Sequence, residues 1–154
     1  AGYQPEERND NSRVMHLSYR SFDMLFTGDI GEEGEKTLIS YVKDRRRKEK
    51  KGIQESQGNQ GNQGSISFGS LDVLKAAHHG SMYSTGESFL SLYPAVQAAL
   101  ISAGRNNPYG HPHKELLNRL QIRNIAVYKT PQSGAIHLTT NGNNYRIRGF
   151  IKQE

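Results

Sequence analysis

Three short apolar runs, residues 24–26, 71–77 and 98–101, are each followed by a polar motif. The motifs are Thr27-Gly28-Asp29, His78-His79-Gly80-Ser81 and, after a further loop, Gly110-His111-Pro112-His113. No other feature constrains the fold as strongly. Runs this short and apolar read as buried strands. If the strands point the same way, their polar ends collect an aspartate and several histidines at one sheet edge. An aspartate with imidazoles and no thiol is a ligand set for a hydrolytic Zn or Mn centre.

The intervening segments predict crossovers. Residues 32–41 place Leu38, Ile39 and Val42 at helical spacing. Glu32, Glu33 and Glu35 fall in the first turn, where the helix dipole favours acids, and the helix is expected to run on into the arginines beyond. Residues 87–93 predict a short helix stopped by Pro94. Residues 112–120 predict a helix with Pro112 near its first position and Leu116, Leu117 and Leu120 on one face. Strands are predicted over 12–19 and 22–27, joined as a hairpin, and over 71–77, 98–102 and 125–129. A C-terminal hairpin, 135–139 with 145–151, turns over Asn141-Gly142. The strand–helix alternation from 71 to 129 predicts α/β layering with right-handed crossovers.

A chain of 154 residues is expected to form one domain, and buries roughly 68–70% of its unfolded surface. Its mean hydropathy of -0.77 is low because a polar insert dilutes the average. Residues 57–64 repeat Gln, Gly and Asn with no side chain worth burying, and predict a disordered loop. With its basic front, residues 45–69 read as an insert between a helix and a strand, not as a domain boundary. Its closure cost rises only slowly with length.

The net charge is +5, and Arg45-Arg46-Arg47-Lys48-Glu49-Lys50-Lys51 alone carries six cations against one anion. The remainder is neutral, so basic character belongs to one segment. That segment suits either a solvated helix end or a salt-dependent grip on a polyanion, and no aromatics interleave to stack bases. The absence of cysteine excludes disulfides, thiolate metal sites and a cysteine nucleophile. No apolar run approaches the ~20 residues of a membrane span. The first residues do not read as a signal peptide, and a first residue other than Met points to a longer parent.

Each motif has a plain reading beside its chemical one. Asp29 can bridge two cations or cap the following helix. Adjacent His78 and His79 are hard to bury neutrally; one can face a metal while the other meets substrate or supports a ligand. Ser81 can contact a phosphate oxygen or cap a turn. His111 and His113 precede a helix, where an anion is attracted and an imidazole can act as acid or phosphate contact; either can instead simply cap the helix. Arg105 with Asn106 offers donors suited to phosphate, or an exposed loop. His16 and His137 lie in strand-like stretches without companions and read as ordinary side chains.

Taken in order, several stretches resemble one family. They are Asn9-Asp10-Asn11-Ser12, Leu25-Phe26-Thr27-Gly28-Asp29-Ile30, Asp72-Val73-Leu74-Lys75-Ala76-Ala77-His78-His79-Gly80-Ser81, Ile101-Ser102-Ala103-Gly104-Arg105-Asn106-Asn107 and Tyr109-Gly110-His111-Pro112-His113. The family is the metallo-β-lactamase-fold hydrolase domain of ComEC-type competence (DNA-internalisation) proteins. The resemblance covers most of the chain, from about residue 9 to about 138, and the insert around 45–69 departs from it.

The resemblance implies an α/β fold, the C-terminal half of an αββα sandwich with a mixed sheet flanked by helices. It also implies metal-dependent hydrolysis of phosphodiesters in DNA, single-stranded DNA above all. Asp29 maps to a metal ligand. The late histidine maps best to His78, with His79 the less favoured choice and the candidate for a catalytic role. His111 and His113 would line the cleft as further catalytic candidates. The family's opening His-x-His-x-Asp-His loop has no counterpart here. The chain therefore reads as the second half of the fold, cut or paired with a missing N-terminal half or a second chain. Half a sandwich is expected to expose an inner sheet face and to dimerise or be marginally stable. Two divalent ions are expected in the complete domain, with Asp29 and His78 alone too few donors to hold them. The resemblance further implies an extracytoplasmic domain, attached to the membrane only through its parent. The competing reading is a catalytically incomplete module that binds nucleic acid or a partner.

Overall fold

A computed structural model describes residues 12–52 and 70–151. Strands β1 (Met15–Tyr19) and β2 (Phe22–Phe26) form an antiparallel hairpin. Helix α1 (Glu32–Lys50) then leads to β3 (Val73–Lys75). A tight left-handed turn, His78–Gly80, and short helix α2 (Glu87–Leu90) precede β4 (Ala98–Ile101). Helix α3 (Lys114–Ile122), β5 (Ala126–Lys129), one-turn α4 (Thr130–Ser133) and the hairpin β6 (Ile136–Thr140) with β7 (Tyr145–Gly149) complete the chain.

The sheet order is β1-β2-β3-β4-β5. Strands β2 to β5 are parallel and β1 is antiparallel to its neighbour. This mixed sheet flanked by helices bears out the α/β expectation. Alternation along each strand divides the core into two layers. Leu25, Leu74, Ala99 and Ile101 face the helices, where Val42, Phe89, Leu90, Leu116 and Leu120 are buried against them. Phe22, Met24, Val73, Ala98 and Leu100 face the other way, against Ile136, Leu138, Tyr145 and Ile147 of the β6–β7 hairpin. The layers are helices, sheet, hairpin.

The second layer corrects one expectation. The inner sheet face is not bare, because the β6–β7 hairpin covers it across β2, β3 and β4. It stays open at β1. Register sets Met15, Leu17 and Tyr19 opposite Phe26, Met24 and Phe22, so they share that face, and they are 55%, 41% and 46% exposed.

Element ends also move. Arg45–Lys50 continue α1, as the expected run of the helix into the arginines requires, so the insert does not open at Arg45; residues 53–69, where the repeat lies, fall outside the described residues. Helix α2 stops at Leu90 because Leu92 and Tyr93 take i→i+3 bonds to Phe89 and Leu90, a tighter winding than α. Pro112 lies outside α3, whose N-cap is His113. Among the described residues no helix is long and apolar enough to cross a membrane.

Candidate functional site

Parallel register sets Phe26, Lys75 and Leu100 abreast, so β2, β3 and β4 end at one edge, the usual place for ligands in α/β sheets. The turns beyond are tied together. Buried Thr27 donates its hydroxyl to Lys75 O at 2.7 Å. His78 N–H donates to Gly28 O at 3.0 Å. Gly28 has φ +57, and a Cβ there would stand 2.9 Å from Arg13 O, so the tight turn that delivers Asp29 requires glycine.

The dihistidine turn is held by its flanks. Ala77 N–H donates to Thr85 Oγ1 at 3.2 Å, and Ser84 Oγ donates to Ala77 O at 3.3 Å. From α1, Glu35 accepts from Thr85 N–H and, at 2.9 Å, from Gly86 N–H. Burial raises the Glu35 pKa despite those bonds and the nearby Arg119. From α3, Arg119 donates to Met82 O and Ser84 O, both at 3.0 Å. Within this frame His78 and His79 take φ of 46° and 54°. Left-handed non-glycine residues cost about 1–3 kcal/mol each and cluster at functional sites.

His79 carries the most telling geometry. Its Nδ1 lies 2.7 Å from Ser102 O, and its Nε2 lies 3.9 Å from Asp29 Oδ1. A carbonyl only accepts, so Nδ1 bears the proton. That tautomer presents the Nε2 lone pair toward a carboxylate, an arrangement that a cation, a second proton or a bridging water satisfies. Histidine that ligates a metal commonly donates its other N–H to a backbone carbonyl in this way. Two donors at ~2.0–2.2 Å from one ion can stand this far apart. The chemistry of the pair fits a divalent cation; its number does not close a cage, since no group of three His, Asp or Glu among the described residues is placed to hold one.

The other imidazoles surround this pair. Ring centroids of His78 lie 6.4 Å from His79 and 5.6 Å from His111, and those of His111 and His113 are 4.7 Å apart. His111 stacks toward His79 at 6.3 Å and 21°. Burial, and then the fields of His113, His78 and His79, push the His111 pKa down, which favours a neutral ring able to take a proton. His113 Nδ1 accepts from Met82 N–H at 3.2 Å, and the His113 backbone N–H donates to Gly80 O at 2.9 Å. It therefore braces the dihistidine turn, and makes no side-chain cap to α3.

The structure thus brings together Asp29, His78, His79, His111 and His113, and sets Asp29 nearest His79, 3.9 Å from its Nε2. Ser81 is buried and its Oγ accepts from Tyr83 N–H at 3.3 Å, the turn-capping role. Arg105 Nε donates to Pro131 O at 3.0 Å on an exposed loop, and Asn106 is exposed beside it. His16 pairs with Asp23 at 3.1 Å in the β1–β2 hairpin, and His137 is exposed on β6.

Three residues take roles that sequence reasoning did not assign them. Lys75 ends β3 half-buried; burial pushes its ammonium pKa down and Asp29 pulls it back up. Asn107 cross-braces the third loop, and its position before Pro108 was the available turn signal. Glu35 shares a helical face with Leu38, Ile39 and Val42, which marked it as inward-facing.

Three curated proteins resemble the chain. ComE operon protein 3 of Bacillus subtilis strain 168 is 34% identical over 133 residues, 86% of this chain and 14% of that protein. Recombination protein 2 of Haemophilus influenzae is 42% identical over 73 residues, 47% of this chain and 9% of that protein. Competence protein ComA of Neisseria gonorrhoeae is 30% identical over 140 residues, 86% of this chain and 16% of that protein. The chain thus spans less than a fifth of the length of each. No family model and no solved structure matches. The similarities support a competence-protein family.

Proposed function

We propose that this edge is one wall of a metal-dependent phosphodiester hydrolase site of metallo-β-lactamase type, acting on single-stranded DNA during uptake. The observation that carries the reading is the Asp29–His79 pair, its outer imidazole nitrogen anchored to Ser102 O and its inner one 3.9 Å from the carboxylate. Similarity to a protein named for competence supports DNA as substrate. In this reading the domain belongs to a longer membrane-associated protein and lies outside the cytoplasm.

Asp29 and His79, with His78 beside them, would hold divalent Zn or Mn, and further donors for a second ion would come from an N-terminal half or another chain. Such a cation supplies a hydroxide nucleophile at neutral pH and a clamp on phosphoryl oxygen. The chain's own residues do the rest. Neutral His111 holds or takes a proton at the cleft wall. His113, with Nδ1 occupied by Met82 N–H, keeps its proton on Nε2 and donates from there. Lys75, where charged, offsets anionic charge beside Asp29.

The test measures metal content and cleavage of single-stranded DNA in Mn²⁺, with the chain alone and with an N-terminal half added. The chain alone should retain little metal and turn over slowly; the completed domain should cleave. In that domain Asp29→Ala and His79→Ala should each abolish cleavage, whereas His16→Ala should not. Full cleavage after Asp29→Ala would overturn the reading. The shortage of converging donors favours one alternative, a binding module without turnover. DNA binding with no cleavage from the completed domain would select it.

A further inference from the structure

We infer that Tyr109 is a base-stacking subsite, taking the nucleobase next to the phosphate that the imidazoles meet. The inference deepens the phosphodiester reading and rests on it. Tyr109 is 74% exposed, and it stands beside the imidazole cluster. Its ring is near-parallel to that of His111, with centroids 5.9 Å apart at 27°, and His111 is near-parallel to His79 at 6.3 Å and 21°. Such separations are those of offset rings, which leave the Tyr109 ring free to take a stacking partner. The line of rings runs from His79, beside Asp29, to Tyr109 in solvent. A planar base suits an exposed aromatic face at the end of that line, and stacking on an aromatic face is how proteins hold single-stranded nucleic acid without reading sequence.

The ring is presented by a braced loop. Asn107 Nδ2 donates to Gly104 O at 2.8 Å and to His111 O at 2.7 Å, and Asn107 Oδ1 accepts from His111 N–H at 2.8 Å. Gly110 N–H closes the turn on Asn107 O at 3.3 Å. The side chain that would stack is therefore placed before ligand arrives, which lowers the ordering cost of binding.

The chain contains no tryptophan, so Tyr109→Trp creates a unique fluorescent reporter at the position in question. The full-length variant is titrated in EDTA, where hydrolysis is stopped, with an oligothymidylate of about eight nucleotides and with an abasic deoxyribose-phosphate oligomer of equal length. Saturable quenching by the oligothymidylate, and binding of the abasic oligomer about 5- to 150-fold weaker, is the expected result. By fluorescence anisotropy of a labelled oligothymidylate, Tyr109→Phe should bind as the parent does and Tyr109→Ala should lose a similar factor. Equal affinity for the two oligomers overturns the stacking subsite and leaves the phosphate reading standing. Binding of neither overturns the stacking subsite, whereas the phosphodiester reading stands or falls on the cleavage test with metal present.

Discussion

At the scale of single residues, the site depends on groups that do no chemistry. Glu35 is the clearest, a buried carboxylate whose two oxygens receive the Thr85 and Gly86 amides and so fix the segment that holds Ala77 and the dihistidine turn. Burial raises its pKa in the fold above 4.5. A carboxyl with a raised folded pKa binds its proton more tightly folded than unfolded, so its contribution favours the fold most below 4.5 and is lost as pH rises through the folded value. Glu35→Gln removes that titration and turns one acceptor into a donor facing an amide. We expect a loss of about 1–3 kcal/mol at neutral pH. The gap between parent and variant should widen in the parent's favour as pH falls from 7 toward 4.5, read from urea midpoints at a series of pH values. A gap that narrows over that range would contradict the burial argument. The sequence placed Asp29 and the imidazoles together because residues beyond parallel strands share an edge. It favoured His78 as the companion of Asp29, whereas it is His79 whose Nε2 lies 3.9 Å from the carboxylate. That choice follows from two left-handed φ values, set by Ser84, Thr85 and His113 from elsewhere in the chain.

Among elements, the site is a junction of three loops, and Gly80 is where the second and third touch. With φ +90, an added Cβ would stand 2.6 Å from Pro112 Cβ and 3.2 Å from Ile101 Cγ2. Gly110 is its natural control, since it too has a positive φ, +69, but has nothing within 4 Å of the added atom. Gly80→Ala should therefore cost more than Gly110→Ala, which bears the backbone strain of about 1–3 kcal/mol alone. Only the first should push the His111–His113 loop off the dihistidine turn. Urea midpoints at unchanged m-value measure the first effect, and histidine ring proton shifts in NMR measure the second. Equal costs would mean that the loops are not packed as described. The elements themselves were largely legible, since apolar runs and helical spacing are local signals. Their ends were not. Helix α3 begins at Lys114, after Pro112, because His113 N–H is drawn to Gly80 O across the junction, a contact no local pattern announces.

For the whole molecule, what was hardest to read was which surface covers which. The β6–β7 hairpin was visible in alternating side chains and an Asn-Gly turn, yet its seat on the sheet was not, because packing between distant elements leaves no periodic trace. The hairpin covers the sheet over its central strands through Ile136, Leu138, Tyr145 and Ile147 and stops short of the edge. There β1 presents Met15, Leu17 and Tyr19 as an apolar row on a strand with one neighbour among the described residues, an arrangement that invites pairing. The curated relatives extend far beyond the matched segment, so nothing requires this row to be solvated in a longer protein. In the isolated chain it is. We expect concentration-dependent self-association, visible as a rising sedimentation coefficient across a dilution series and abolished by Leu17→Lys. That substitution leaves the β1–β2 backbone pairing intact and places a charge in the row, as native edge strands do. A compact monomer at all concentrations, with Leu17→Lys changing neither its sedimentation nor its stability, would show that the edge needs no partner and that the layers described here already complete the domain.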